Sequence, residues 1–542
     1  MSNPTTSLNN NDNVVIGIDV GTGSARAGVF DMAGNMLASA KHDISLFRDS
    51  ANFAEQSSNE IWEAVCYCVK QAITSSNVKP QQVVGVGFDA TCSLVVIGHD
   101  KHPITVSPSN DPERNIIVWM DHRATEQAER INQLKHPVLN YVGGKISPEM
   151  ETPKILWLKE NLRQTYDNAW QFFDLADFLT WKSTGSLARS TCTVTCKWTY
   201  LAHEKRWDAD YFQQAGLSEL VEENFSRIGQ QIVEPGTPCG SGLTEQAAQQ
   251  MGLLAGTPVA AGMIDAHAGG IGTVGVNGDA TANMAYVFGT SSCTMTTTKE
   301  PVFIPGVWGP YYSAMVPGMW LNEGGQSAAG AAIDQLLSLH PASAQAQITA
   351  KGQGKSLPVM LADLVLEKAD SPSQSVELAQ KIHVVPEFLG NRAPFADPHA
   401  RAVIAGLTMD NSMENLLSFY VAGVCGIGYG LRQIIEAQAK SGASIENIVV
   451  SGGAGQHPLI RQLLADACGV PVISTRASEP VLLGSAILGA VAGKVCNDVA
   501  QAMNKFSPID LTYHPNKAYK AHHDIRFASF LHLQKCAREL KG

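Results

Sequence analysis

The chain contains no apolar run long enough to cross a bilayer, a span that takes about 20 consecutive apolar residues. Its opening, MSNPTTSLNNNDN, has neither the basic n-region nor the apolar h-region of a secretory leader, so residues 1–13 are expected to form a flexible tail. Charge is sparse at 16% of residues, and the basic kind is the scarcer, 39 Lys and Arg against 50 Asp and Glu. The resulting net charge of -11 excludes nonspecific attraction to nucleic acid or to anionic membranes. It leaves open a nucleotide held by local amides and a cation. The 11 cysteines are odd in number and form no repeated CxxC framework, which excludes a disulfide scaffold and fits a reducing cytoplasm. Cys66 with Cys68 and Cys192 with Cys196 lack a partner pair at zinc spacing, so no structural metal is expected there.

What is present is ample apolar material. Hydrophobic residues make up 44% of a 542-residue chain, too long for one core, and two large domains are expected. The stretch VVIGIDVGTGSARAGVFD (residues 14–31) reads as a strand, a Gly-rich turn and a returning strand. Glycines let backbone N–H groups close around an anion, and Gly21, Thr22, Gly23 and Ser24 offer such a nest plus two hydroxyls. Asp19, at the end of the first strand, can face a hydrated Mg²⁺ on the same phosphates.

The pattern recurs half a chain later. Met284–Phe288 runs into Gly289, Thr290, Ser291 and Ser292, and then Cys293–Thr296. Strand and helix signals alternate between and beyond the two hairpins, which favours an α/β fold. Ser57 to Glu60 has the pattern of a capping box opening a helix, Val83–Phe88 reads as a buried strand, and residues 152–161 and 413–437 read as helices. The glycines of that last helix predict backbones pressed close together, and Gly269, Gly270 and Gly272 earlier suggest a hinge or a closely packed helix. Ser451 to Gly455 forms a Gly-rich turn at a strand C-terminus, where nucleotides bind in open α/β sheets.

With both hairpins, the Asp265 segment AGMIDAHAGG and the turn SGGAGQHPLIRQLLAD in this order, the chain resembles the FGGY carbohydrate kinases from about Val14 to Lys494. The resemblance implies an α/β fold of two duplicated ribonuclease-H-like (actin/hexokinase/Hsp70-like ATPase) domains flanking a cleft. The first, at 14–272, would hold the sugar and the first phosphate hairpin, and the second, at 273–542, would hold ATP. Carried over residue by residue, Asp19, Gly21, Thr22 and Ser24, with Gly289, Thr290 and Ser291, would bind the phosphates. Gly452, Gly453, Ala454 and His457 would form the adenosine turn, and Asp265 would be the catalytic base, sharing Mg²⁺ with Asp19. Asp121, in VWMDHRA, matches a sugar carboxylate, and Trp119, two positions earlier on the same expected strand face, would line the sugar pocket.

Thr91, Cys92 and Ser93 occupy the segment that separates subgroups. TCSL there, and TCTVTCKW at 191–198, are similar to the D-ribulose kinases, implying a cytoplasmic ATP-dependent enzyme with a small sugar as partner. A homodimer is compatible with this reading. L-ribulose, D-xylulose and ribitol stay open as substrates, and a non-catalytic ATPase of the same superfamily is the rival from another class. Two readings compete for single residues: Asp265 as a helix N-cap, and Asp121 as a surface ion pair with Arg123. His122 and His267 read as local hydrogen-bonding residues. Glu149 and Glu151 depart from the family pattern, whereas Lys154 and Trp157 keep it.

Overall fold

The computed structural model describes residues 12–540, so residues 1–11 of the expected tail lie outside it. β1 (Val14–Val20) is buried along its whole length and turns back into β2 (Ser24–Asp31), which pairs in turn with β3 (Met36–Asp43). The chain then crosses through α1 (Ser58–Ser76) and returns as β4 (Val83–Ala90), parallel to β1. Ser57 caps α1 through the Glu60 amide as expected, but the Glu60 carboxylate turns to Ser45 instead of closing the box. A short β5 (Met263–Ile264) adds parallel to β4, giving the order β5-β4-β1-β2-β3. Parallel strands covered on both faces need continuous apolar runs, and β1 and β4 supply them.

Beyond this sheet lie α2 (Glu151–Asn161) and α3 (Thr191–Trp198), and α4 (Asp265–Val274) leads out of β5 into the second half. There β6 (Asn283–Phe288) and β7 (Ser292–Thr298) form the second hairpin, followed by β8 (Trp308–Tyr312) and β9 (Trp320–Gln326). Next come α5 (Gly330–Ser338), the long α6 (Met413–Lys440), β10 (Asn447–Ser451) and α7 (Pro458–Cys468). β11 (Val472–Thr475), α8 (Pro480–Ala492), β12 (Ile509–Tyr513) and α9 (Lys520–Glu539) complete the half.

The second sheet runs β8-β9-β7-β6-β10-β11-β12. Without its edges, β11-β10-β6-β7-β9 repeats β5-β4-β1-β2-β3 in order and in direction. The hairpin repeat in the sequence is therefore the trace of a repeated five-stranded unit.

One element crosses the expected partition. α8 comes from the second half but lies on the first sheet, so close that a Cβ on Gly17 would meet the Leu482 carbonyl at 2.0 Å. One on Gly85 or Gly87 would meet the carbonyls of Gly489 or Ser485 at 1.9 Å. α8 also crosses α4, where a Cβ on Gly272 or Gly484 would run into the other helix at 2.1 and 1.9 Å. The Gly-rich run at 269–272 is thus a helix crossing, and the glycines of α6 likewise abut Leu336, Val384, Ala467 and Gln326.

Candidate active site

The first hairpin closes through Gly21 N–H donating to the Ser24 carbonyl at 3.0 Å, and the second through Gly289 N–H to Ser291 at 3.0 Å. The second is seated on the start of α5: Gly289 and Thr290 carbonyls accept from Gly330, Ala329 and Ala331 at 2.9–3.1 Å. Gly452 has φ +89°, and a Cβ there would strike the Phe288 carbonyl at 2.5 Å. Glycine is thus required to bring the 452–455 turn against the second hairpin.

Beside them opens a cavity of about 550 Å³ lined by Phe288, Ile333, Asp334, Tyr420, Gly453, Ala454, His457 and others. Its largely apolar wall with few polar groups suits a purine base. His457 lines it without offering a free nitrogen: Nδ1 accepts from Leu459 N–H at 3.2 Å and caps α7, and Nε2 meets Asp363 at 3.2 Å. His457 thus borders the pocket, as expected of the turn, and caps α7 as well.

Three carboxylates gather at the C-terminal ends of neighbouring strands. Asp19 on β1 lies opposite Asp89 on β4, which is in register with Met263 on β5, two residues before Asp265. Asp19 is buried and paired with Arg26, whose Nε donates to Oδ2 at 2.8 Å and whose other arm reaches Glu479 at 2.8 Å. Asp89 hydrogen-bonds Ser485 of α8, and burial, reinforced by Asp19, holds its carboxyl well above the usual range. Asp265 opens α4. Its Oδ1 accepts from Ala266 N–H at 2.7 Å, whereas Oδ2 has no hydrogen-bond partner among the described residues and the side chain is partly exposed. Burial and then Asp19 raise its pKa to about 6. Asp265 is the first residue of α4 and Ile264 its N-cap, with no side-chain cap, so the expected N-cap role does not hold and Oδ2 is left for chemistry.

Among the described residues no group of three or more His, Cys, Asp or Glu is arranged to hold a metal ion alone. The donors present are nonetheless hard oxygens, and Asp89 Oδ1 is buried without a partner. They fit a Mg²⁺ completed by phosphate and water oxygens, not a closed protein cage.

Among the residues expected to meet a sugar, Thr91 Oγ1 and Ser93 Oγ lie 3.1 Å apart, and Ser93 Oγ accepts from Trp119 N–H at 3.2 Å. The Trp119 indole donates to Thr22 Oγ1 at 3.0 Å, which ties this region to the first phosphate hairpin. Cys92 is buried, and burial pushes its thiol up to about 12.

Asp121 does not join them. Only Ile116–Ile117 is strand; residues 119–120 turn, so Trp119 and Asp121 do not share a strand face. Asp121 Oδ1 accepts from Arg123 N–H and Nε at 2.9 Å, and Oδ2 from Ala54 N–H at 2.7 Å and Arg123 at 2.8 Å. Its side chain has 0% exposure, and Arg123 also binds Glu55 at 2.7 Å. The expected sugar carboxylate is instead half of a buried ion pair, neither sugar-facing nor at the surface. His122 pairs with Glu149 at 3.2 Å, a local role that accounts for the acid at 149.

Three residues that the motifs did not single out for the site complete it. Asp89 is one. Lys197, on α3, lies within electrostatic range of Cys92, Glu323 and Asp265, with no hydrogen bond or ion pair among the described residues. Glu323 on β9 reaches His267 Nε2 at 3.3 Å; burial opposes its ionisation, but His267, Lys197 and Arg392 pull it down to about 2. On the other side, His267 Nδ1 meets Cys192 Sγ at 3.2 Å. Lys197 stands in the TCTVTCKW string, but only the packing of α3 against β5 and β8 brings it here.

A duplicated α/β unit with a phosphate-type hairpin in each half and a carboxylate between them defines a two-lobed ATPase of the actin/hexokinase-like class. The chain belongs to the FGGY family of carbohydrate kinases: its N-terminal domain model matches residues 14–272 and its C-terminal domain model residues 284–493. It is 44% identical over 536 residues to the human FGGY carbohydrate kinase domain-containing protein, covering 97% of this chain and 96% of that one. It is 41% identical over 514 residues to the D-ribulokinase YDR109C of Saccharomyces cerevisiae, covering 88% of this chain and 72% of that one. The fold matches the xylulose kinase of Rhodospirillum rubrum with a TM-score of 0.80 at 17% identity, over 97% of this chain and 99% of the other. The protein is therefore a sugar phosphotransferase, and no helix among the described residues is long and apolar enough to cross a membrane.

Proposed function

We propose that the protein phosphorylates D-ribulose at its terminal hydroxyl, giving D-ribulose 5-phosphate, with ATP as donor. The observation that carries this reading is the 41% identity to a D-ribulokinase, against 28–29% to several bacterial ribulokinases. The Thr91–Ser93 segment beside the first hairpin agrees with it.

In this reading the open Oδ2 of Asp265 accepts the proton of the attacking hydroxyl, since a sugar hydroxyl is too weak an acid to ionise unaided. A pKa of about 6 leaves that carboxylate ionised at neutral pH. The hydroxyls of Thr22, Ser24, Thr290 and Ser291, with the hairpin amides not used in closing the turns, grip phosphate oxygens, while Gly21 and Gly289 close the turns themselves. Bound Mg²⁺ supplies charge neutralisation on the phosphates, and Asp19 and Asp265 would hold it through water. Gly453, Ala454 and His457 border the base pocket, and Gly452 turns the chain toward it. Lys197 and Glu323 offer a donor and an acceptor to sugar hydroxyls, and Thr91, Cys92 and Ser93 keep the pocket small.

A site built on hydroxyl hydrogen bonds penalises an epimer by leaving a buried partner unpaired, at about 1–3 kcal/mol each. ADP release measured with D-ribulose, L-ribulose, D-xylulose, ribitol and glycerol is expected to favour D-ribulose by at least about tenfold in kcat/KM. Faster turnover of any other sugar in the panel overturns the substrate, though not the family.

A further inference from the structure

Cys192 sits at the start of α3, fully buried, and is used by none of the steps above. Its sulfur touches the chain on both sides of Asp265. Ile264 N–H, the residue before, donates to Sγ at 3.4 Å, and the His267 ring, two residues after, meets Sγ at 3.2 Å. His267 in turn reaches Glu323 of β9 at 3.3 Å. One hydrogen-bonded chain thus joins α3 of the first half, the first turn of α4, and β9 of the second sheet. The strand that leads into this turn, β5, has only two residues, and the start of α4 is also held against α8.

We propose that Cys192 and His267 are positioning residues that fix the Asp265 turn relative to both lobes. The inference rests on the reading of Asp265 as the base. A carboxylate that takes a proton in flight tolerates little displacement, because misplacement by about 1 Å costs on the order of a hundredfold in rate. Sulfur suits this place: it accepts from the Ile264 N–H and meets the His267 ring while filling a fully buried site. The four-residue spacing to Cys196 places that second thiol one turn along α3, where it supports the same sulfur.

The test compares Cys192→Ala, Cys192→Ser, His267→Gln, the double Cys192→Ala/His267→Gln and Asp265→Asn, assayed with D-ribulose and ATP. Cys192→Ala and His267→Gln are each expected to lower kcat about 5- to 50-fold, with KM for ATP within about twofold and an unfolding midpoint near wild type. Cys192→Ser, which keeps an acceptor, is expected to recover most of the loss, and the double variant to be little worse than the weaker single. Wild-type kcat in Cys192→Ala, or fully multiplicative losses in the double variant, overturns the proposal. So does a loss that follows the unfolding midpoint and is not rescued by serine. Asp265→Asn separates the two readings: if it turns over like wild type, the base assignment fails. If it is inactive while Cys192→Ala and His267→Gln are unimpaired, only the positioning role fails.

Discussion

At the scale of residues, the site divides into groups that are committed and groups that are open. Asp265 spends one oxygen on the Ala266 amide and leaves the other without a partner among the described residues. Asp265→Asn keeps the shape and removes the base, so kcat is expected to fall at least ~100-fold with sugar binding retained, as read by single-turnover kinetics and calorimetry. Asp121 belongs to the committed kind. Removing it leaves the Arg123 guanidinium buried with Glu55 alone, a loss that costs about 3–5 kcal/mol when a buried pair is broken. Asp121→Ala is expected to lower the urea midpoint accordingly while KM for D-ribulose in the folded protein stays put; a selective rise in that KM would return Asp121 to the sugar site. The contrast explains what the sequence can reveal. Asp265 and both hairpins are local strings whose chemistry lies in adjacent residues. Asp121 misleads because the Ala54 amide that binds it and the Glu55 that shares its Arg123 lie far back in the chain, and Asp89 escapes notice because nothing local says that β4 lies beside β1.

At the scale of elements, helices are legible where a period or cap marks them. The helix expected at 152–161 starts one residue earlier, and that expected at 413–437 runs three further to Lys440. The seven-stranded sheet is not legible, because strand order depends on pairings between residues more than a hundred apart, such as β6 with β10. The docking of α9 on α6 carries a pH dependence. His523, buried on α9, bonds Tyr429 of α6 at 3.0 Å. Burial, and then the positive neighbours His522, Arg526 and Arg432, lower its pKa from 6.5 to about 4. Below pH 6.5 the unfolded chain therefore takes up a proton that the folded chain refuses, and stability declines until the pH reaches about 4. At about 1.4 kcal/mol for each pH unit crossed, the total is about 3 kcal/mol. His523→Gln is expected to flatten that part of the urea-midpoint profile between about pH 7 and pH 4.5; an unchanged slope would place the acid sensitivity elsewhere.

At the scale of the molecule, the two sheets that share a five-stranded unit are joined by the α4–α8 crossing. A kinase that held ATP against open water would hydrolyse it, so the lobes are expected to close only with sugar in place. ATP hydrolysis without sugar is expected on the order of 1% of the kinase rate or less. Small-angle scattering is expected to show a smaller radius of gyration with D-ribulose and a non-hydrolysable nucleotide than with either alone. Identical curves in all three conditions would count against a clamp.

The placement of α8 on the first sheet also bears on how the chain is made. Gly17, Gly85 and Gly87 leave a shallow trough across β1 and β4 that only the backbone of α8 fills. On the ribosome, β1 and β4 emerge long before residue 480, so the nascent first half stands with that trough open to water throughout synthesis of the second. Its last layer arrives only once residues 480–492 have been made. A truncation after Gly272 would be a permanently unfinished nascent chain, recoverable only by adding back a piece that carries Pro480–Ala492. Late premature stops therefore act on the amino-terminal lobe as well as on the lobe they shorten.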